Sequence, residues 1–535
     1  MKLLKAILAS GVLASLASCA SMNPPEGGPR DLVPPVLLSS NPQDQQLNVS
    51  TNSITLEFDE EVQQNNLNKE LLITPSVENR YKILPNKNQL TLEFEKPLEE
   101  NTTYTLNFRE GIVDITEKNK AKNLKLAFST GSFIDSSRVS GTVVNLMKQT
   151  PEKGAVVALY RAEDTLSIRK NRPYYLTTTD DAGNFEIENV KEGNYRVYGL
   201  VDKNNNMYYD SEEERIAYLP QPLRITPDTE PVKLQTVRID TKKPILLRRE
   251  TYSDRFIANY NEGIQSFSVK PLESTADSTV SEIILEGKAA QLFKTPKFEG
   301  GKTVLTAVDS AGNIAIDTLQ IAFQGKRAQL IKGAQLKVIN GKSGKYRPGQ
   351  PVVVELQTPV KITGEAPLML MADTTVLTQL TYPNDISLSK ANTELRFNLP
   401  SVNNRVKQVT LLIDSTAVVP MEGEPLSYPK LNIGISEEKG AGSFRGIVKT
   451  EYSSYIVQLL NSNFKVVDQV RNQRNFQFKN LEPGAYTIRV LIDEDNDGEW
   501  EKADPAFERA PEKVYVFPKA IDARANWEIE EILEF

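Results

Sequence analysis

Apolar and polar residues alternate in short runs along most of this chain. Ile54, Leu56 and Phe58 are separated by single positions, as are Leu90, Leu92 and Phe94, then Tyr104, Leu106 and Phe108, then Leu124, Leu126 and Phe128. A period of two sends successive side chains to opposite faces of an extended chain, so each run predicts a half-buried antiparallel strand. Asn, Pro and Gly lie between the runs and supply the turns. No stretch of comparable length keeps an apolar period of 3.6 residues. The pattern predicts an all-β chain.

At 535 residues the chain is too long for one hydrophobic core. Domains usually hold about 100–150 residues, so roughly four or five are expected. The first, residues 34–133, opens with Pro34-Pro35 and Asn41-Pro42. It continues through the strand Ile54 to Val62, the segment Asn101-Thr-Thr-Tyr-Thr-Leu106 and the closing Phe128-Ser-Thr130. In these motifs it resembles the SbsA-type bacterial Ig-like domain, a resemblance that implies a spacer or binding module and no chemistry.

Residues 137–240 carry Val139-Ser-Gly-Thr-Val143, Gly154 to Tyr160, Asp181-Ala-Gly-Asn-Phe-Glu-Ile187 and Gly193-Asn-Tyr-Arg-Val197. This region resembles the prealbumin-like, carboxypeptidase-regulatory-like β-sandwich of bacterial surface proteins. Its glycine turn needs a positive φ that Gly adopts without strain. Residues 241–325 contain Val304 to Ile314, which is similar to the terminal hairpin of bacterial Ig-like families. Residues 326–436 read as a divergent Ig-like domain, and 437–535 as a second prealbumin-like sandwich.

The first pair of domains recurs in the last pair. Asn184 to Tyr195 matches Asn475 to Tyr486 without a gap, an offset of 291 residues. Val352, Val354, Leu356 and Val360 follow Ile54, Leu56, Phe58 and Val62 at an offset of 298. Two segments shifted by nearly the same amount predict duplication of a two-domain unit.

The beginning of the chain has a different character. Lys2 and Lys5 precede a short apolar stretch from Ala6 to Ala17. Spanning a bilayer takes about 20 residues, so the stretch fits the apolar part of a signal peptide, residues 1–18. Leu16-Ala17-Ser18-Cys19 resembles the lipobox of bacterial lipoproteins, which implies acylation (palmitate among the chains) at Cys19. Ala20 after the cysteine implies the outer membrane, facing the periplasm or the medium. Residues 19–33 are rich in Pro and Gly, which favours an extended tether over helix or strand.

Composition narrows the chemistry. The chain has no histidine, which removes Ser-His-Asp and Cys-His catalysis and histidine-ligated zinc. Its one cysteine is Cys19, so the domains that follow have no disulfide to staple them. A formal charge of −7 without basic blocks argues against nucleic acid as a partner.

Acidic loops supply the candidate sites. From Asp493, oxygen-bearing side chains stand at positions 1, 3 and 5 (Asp493, Asp495, Asp497), with Gly498 at 6, Glu499 at 7 and Asp504 at 12. That spacing suits a Ca2+ loop, with Glu499 offering its carbonyl, and equally suits a polar turn. A weaker copy has Asp202, Asn204, Asn206 and Glu213, with Met207 in the glycine place. Trp500 and Trp527 suit either a sugar platform or a sandwich edge. Asp59, Glu60 and Glu61 read as a solvated turn. The Asp-Ser/Thr segments at Asp164, Asp277, Asp309, Asp317, Asp373 and Asp414 resemble the O-glycosylation motif of Bacteroidetes envelope proteins.

Together these features predict a non-catalytic lipid-anchored envelope protein, a structural or adhesive Ig-like module. Its expected partners are the membrane, through the N-terminal lipid, and an envelope protein or glycan. Two other readings stay open: a glycan-binding component of a polysaccharide-uptake system, and a glycoside hydrolase using two carboxylates.

Overall fold

A computed structural model describes residues 30–76, 79–272, 279–328, 330–337, 345–346, 349–403, 405–436 and 441–535. Cys19, the tether as far as residue 29, and Asp277 lie outside these residues. The described chain is nearly all β, in tandem Ig-like sandwiches. It divides into two compact units. One takes in the chain up to Val143 with Glu152–Tyr209 and Pro222–Leu234; the other holds Val144–Pro151, Asp210–Gln221 and Gln235–Phe535.

In the first unit, Leu37–Asn41, Ser53–Phe58, Gln89–Phe94 and Tyr81–Asn86 form one sheet in that spatial order. Leu72–Thr74, Thr103–Asn107 and Lys125–Ser129 form the facing sheet, and Val62–Gln64 pairs with Ile112–Asp114. Ile54 lies opposite Leu92, and Leu56 opposite Leu90, so both strands turn their apolar sets the same way. Phe58, Phe94, Phe108 and Phe128 fill the space between the sheets, fully buried. Tyr104 joins them, its ring 5.8 Å from that of Phe128, while its hydroxyl accepts the Glu99 N–H at 2.9 Å. Burial pushes the Tyr104 phenol up to about 12.

Further along the chain, Asn184–Val190, Ser137–Asn145 and Val232–Thr236 make a three-stranded sheet. Tyr175–Thr178, Val156–Arg161 and Gly193–Val201 build the other sheet, with Leu223–Ile225 added along Gly193–Val201. Gly141 is required here: a Cβ would sit 1.9 Å from the Val232 carbonyl oxygen, closer than any side chain allows.

The second unit contains a sandwich of Leu246–Thr251, Arg255–Tyr260, Ala289–Phe293 and Val280–Ile284 against Ile264–Pro271, Gly300–Asp309 and Ile314–Ala322. Asp309 closes the last hairpin by accepting the N–H groups of Ala311 and Asn313, with Gly312 at φ +90.

The strand orders repeat. Ala334–Leu336, Pro351–Leu356, Glu394–Asn398 and Ile386–Leu388 reproduce the first four-stranded sheet, and Val360–Ile362 pairs with Val418–Pro420 as Val62–Gln64 pairs with Ile112–Asp114. Val352 lies opposite Phe397 and Val354 opposite Leu395, the register of Ile54 and Leu56. The second sheet is Leu368–Ala372, Gln408–Ile413 and Leu431–Ile435, extended by Thr375–Leu380 and Lys345–Tyr346.

The final sandwich repeats the order of the second: Asn475–Leu481, Gly442–Lys449 and Glu528–Glu534 in one sheet; Val466–Arg471, Ser454–Asn461, Gly484–Asp493 and Val514–Val516 in the other, with Ile521–Ala523 added. Gly446 pairs with Phe476 as Gly141 pairs with Phe185. Not every ladder is antiparallel: Lys345–Tyr346 runs parallel to Leu431–Ile435. Glu528–Glu534 also runs parallel to Gly442–Lys449, because the chain crosses to the other sheet before returning.

Candidate functional site

Strand Gly484–Asp493 crosses the middle of its sheet beside Ser454–Asn461, and Asp493 is its last residue. The side chain therefore enters the end of the sandwich, and only 4% of the residue is exposed. Its Oδ2 accepts the Gly498 N–H at 3.0 Å, while Oδ1 is buried with no hydrogen-bonding partner. The loop then bends through Asn496 at φ +62 and Gly498 at φ +95. Asp495 Oδ1 accepts the Asp497 N–H, and Asp497 Oδ1 accepts the Glu499 N–H.

A residue outside the sequence pattern completes the site. Glu512, also buried, lies on the returning segment before Val514–Val516. Its two carboxylate oxygens accept the N–H groups of Glu494 at 2.5 Å and Glu501 at 2.7 Å. Carboxylate oxygens of Asp493, Asp495 and Glu512 all lie within 4.8 Å of one another, and those of Asp495, Asp497 and Glu501 do the same. Glu501 is paired with Arg509 at 2.6 Å, whereas among the described residues no ion pair reaches Asp493, Asp495 or Glu512.

The electrostatics follow from this crowding. Burial raises the Asp493 carboxyl, but hydrogen bonds from Ser454 and from the Gly498 and Asn496 amides outweigh it and leave the group below its ordinary value. Burial pushes Glu512 up, helped by the Asp493 charge and opposed by the amides of Glu501, Glu494 and Asp495. Two neighbouring carboxyls are thus driven in opposite directions.

Asp504, expected at the closing position, is not in this group. Its Oδ1 and Oδ2 accept the Ala506 and Glu508 N–H groups at 3.0 and 3.1 Å, so it organises the next turn. Its own N–H donates to the Tyr218 hydroxyl at 2.9 Å, and that hydroxyl donates to the Arg509 carbonyl at 2.5 Å. The side chain of Glu499 is exposed.

The loop from Asp202 has the same backbone. Asn205 at φ +59 and Met207 at φ +67 stand 291 residues before Asn496 and Gly498. Asp202 Oδ2 accepts the Met207 N–H at 2.7 Å, as Asp493 does that of Gly498. Its oxygens are spent inside the loop, however. Asp202 Oδ1 takes the Asn204 and Asn205 amides, Asn204 Oδ1 the Asn206 amide, and Asn206 Oδ1 that of Tyr208. Glu213 donates its N–H to Ser211 Oγ in a turn of its own. Among the described residues no cluster of three carboxylates forms around Asp202.

The other candidates separate clearly. Trp500 is half-buried and donates its indole N–H to the Lys513 carbonyl at 3.3 Å. Trp527 is 60% exposed, with the Arg524 guanidinium 5.3 Å above its ring. Asp59 accepts the Val36 N–H at 2.8 Å and so fixes the start of the first strand. Burial raises Glu60, with the charges of Asp114, Asp31 and Asp59 adding to the effect.

Two segments of the chain match known domain families. Residues 31–130 match the bacterial Ig-like domain family, and residues 138–208 match domain II of polysaccharide lyase family 4. No curated protein matches the chain. Among solved structures, the S-layer protein SbsC is similar at 12% identity over 92% of this chain and 67% of its own, with a TM-score of 0.15. The major pilin subunit BcpA of Bacillus cereus aligns at 10% identity over 74% and 98%, with a TM-score of 0.14. SGBP-B of a Bacteroides ovatus mixed-linkage glucan utilization locus, solved with a heptasaccharide, aligns at 10% identity over 70% and 89%, with a TM-score of 0.17.

Proposed function

Starting from a string of Ig-like β-sandwiches, we propose a non-catalytic lipoprotein of the bacterial outer membrane, held by Cys19 and serving as a structural or adhesive module. The observation that carries this reading is how buried polar side chains are used in the second compact unit. Arg255, 2% exposed, donates to Gln291 Oε1 within its own sandwich and to the Gln357 carbonyl of the next. Asp254 accepts the Ala328 N–H at 2.8 Å, and Thr393 donates its hydroxyl to Glu282. Buried polar groups need partners, and these find them in the neighbouring sandwich. Such contacts tie one sandwich to the next, which suits a scaffold.

A glycan-binding role has one feature in its favour, the exposed ring of Trp527, since sugars stack on such faces. Cell fractionation tests the main reading. The chain is expected in the outer-membrane fraction, and Cys19→Ala in the soluble fraction; membrane retention of that variant would overturn the anchor. Crosslinked capture from the same membranes is expected to yield an envelope protein. Polysaccharide binding lost in Trp527→Ala would instead establish the glycan reading.

A further inference from the structure

We infer that Asp493, Asp495 and Glu512 form a calcium site, with Asp497 at its margin. The inference does not depend on the lipid anchor. Its first support is the convergence of carboxylate oxygens from a strand end, a loop and a returning segment to within 4.8 Å of one another. Calcium takes oxygens at about 2.3–2.6 Å, so two ligands on opposite sides of the ion stand about that far apart.

The second support is independent. Asp493 is 4% exposed and its Oδ1 has no hydrogen-bonding partner. A buried carboxylate oxygen without a partner is costly, and a cation at the cluster supplies the missing one. Among the described residues no ion pair involves the three members of the cluster.

Another carboxylate group in the same unit, Asp240, Glu262 and Asp309, shows the contrast. There, Asp309 Oδ1 accepts two backbone N–H groups, and its Oδ2 accepts the Asn313 side-chain N–H at 2.9 Å. Nothing at Asp309 is left wanting. The Asp202 loop is likewise closed on itself. The two loops therefore differ at one atom: both Asp202 oxygens accept amides, whereas Asp493 Oδ1 is left for the cation. Calcium fits better than magnesium, because the oxygens come from three separate segments, and calcium tolerates irregular, high-coordination sites.

The test is isothermal titration of the full chain with CaCl2 after dialysis against chelator, together with melting curves with and without the ion. One calcium per chain and a higher melting temperature are expected. Glu512→Gln and Asp495→Asn should each weaken binding on the order of tenfold or more, since affinity follows ligand charge. Asp202→Asn should leave binding unchanged. Asp495 is exposed, so its variant keeps the test decisive if Glu512→Gln folds poorly. Absence of heat and of any melting shift at millimolar calcium would overturn the site. So would undiminished binding by Asp495→Asn and Glu512→Gln.

Discussion

Tyr195 donates its hydroxyl to the carbonyl of Lys191, four residues back, at 2.8 Å. The same bond recurs 291 residues later, from the Tyr486 hydroxyl to the Glu482 carbonyl at 3.1 Å. In each case the bond ties a strand to the turn that precedes it. The shared offset extends the repeat to a polar contact as well as apolar residues. Tyr195→Phe should lower stability by about 0.5–1.5 kcal/mol, the usual worth of one hydrogen bond. Urea denaturation would measure it, and an unchanged midpoint would show the bond to be dispensable.

The paired loops give a second expectation. Gly498 has φ +95 with nothing within 4 Å of an added Cβ, so any penalty there is conformational. Gly498→Ala should destabilise by about 1 kcal/mol, because a Cβ is disfavoured in the left-handed region. Met207, at φ +67, already bears that strain, so Met207→Gly should relieve part of it. Melting curves in chelator would separate these effects from ion binding.

Close packing sets a third. A Cβ on Gly446 would fall 2.1 Å from the Phe476 ring, which covers the glycine across the strand pair. Gly446→Ala must displace a buried ring and should destabilise by about 1–3 kcal/mol. Combining it with Phe476→Leu should recover part of the loss.

The alternating runs made much of the fold legible. Ile54, Leu56, Phe58, Leu90, Leu92 and Leu106 are all fully buried, as a period of two requires. Strand Thr375–Leu380 escaped the pattern because it lies at a sheet edge, where Val376 and Leu377 are exposed and burial imposes no alternation. In the site, Asp493, Asp495 and Asp497 were legible from their spacing. Glu512 was not, since it joins them through strand pairing: Ile492 donates its N–H to the Lys513 carbonyl, which brings the returning segment to the strand end. Asp504 had the right spacing, but its oxygens cap the next turn.

Acid should reveal a buried carboxylate in the first sandwich. Asp114 is fully buried; burial raises it, but the amides of Glu117, Lys118 and Asn119 and the Asn119 side chain hold it below its ordinary 3.8. A depressed carboxyl contributes stability above its unfolded value and loses it as the pH falls through the folded one. Asp114→Asn should therefore be destabilising at about pH 7, and the gap to the parent should narrow toward about pH 3. Paired urea titrations at both pH values would check this.

Mass spectrometry of the mature N-terminal peptide, from chain purified out of outer membranes, tests the central claim most directly. A peptide beginning at Cys19 and carrying a diacylglyceryl group and an amide-linked fatty acid is the expected result. An unmodified Cys19, or a terminus cut at another residue, would contradict it.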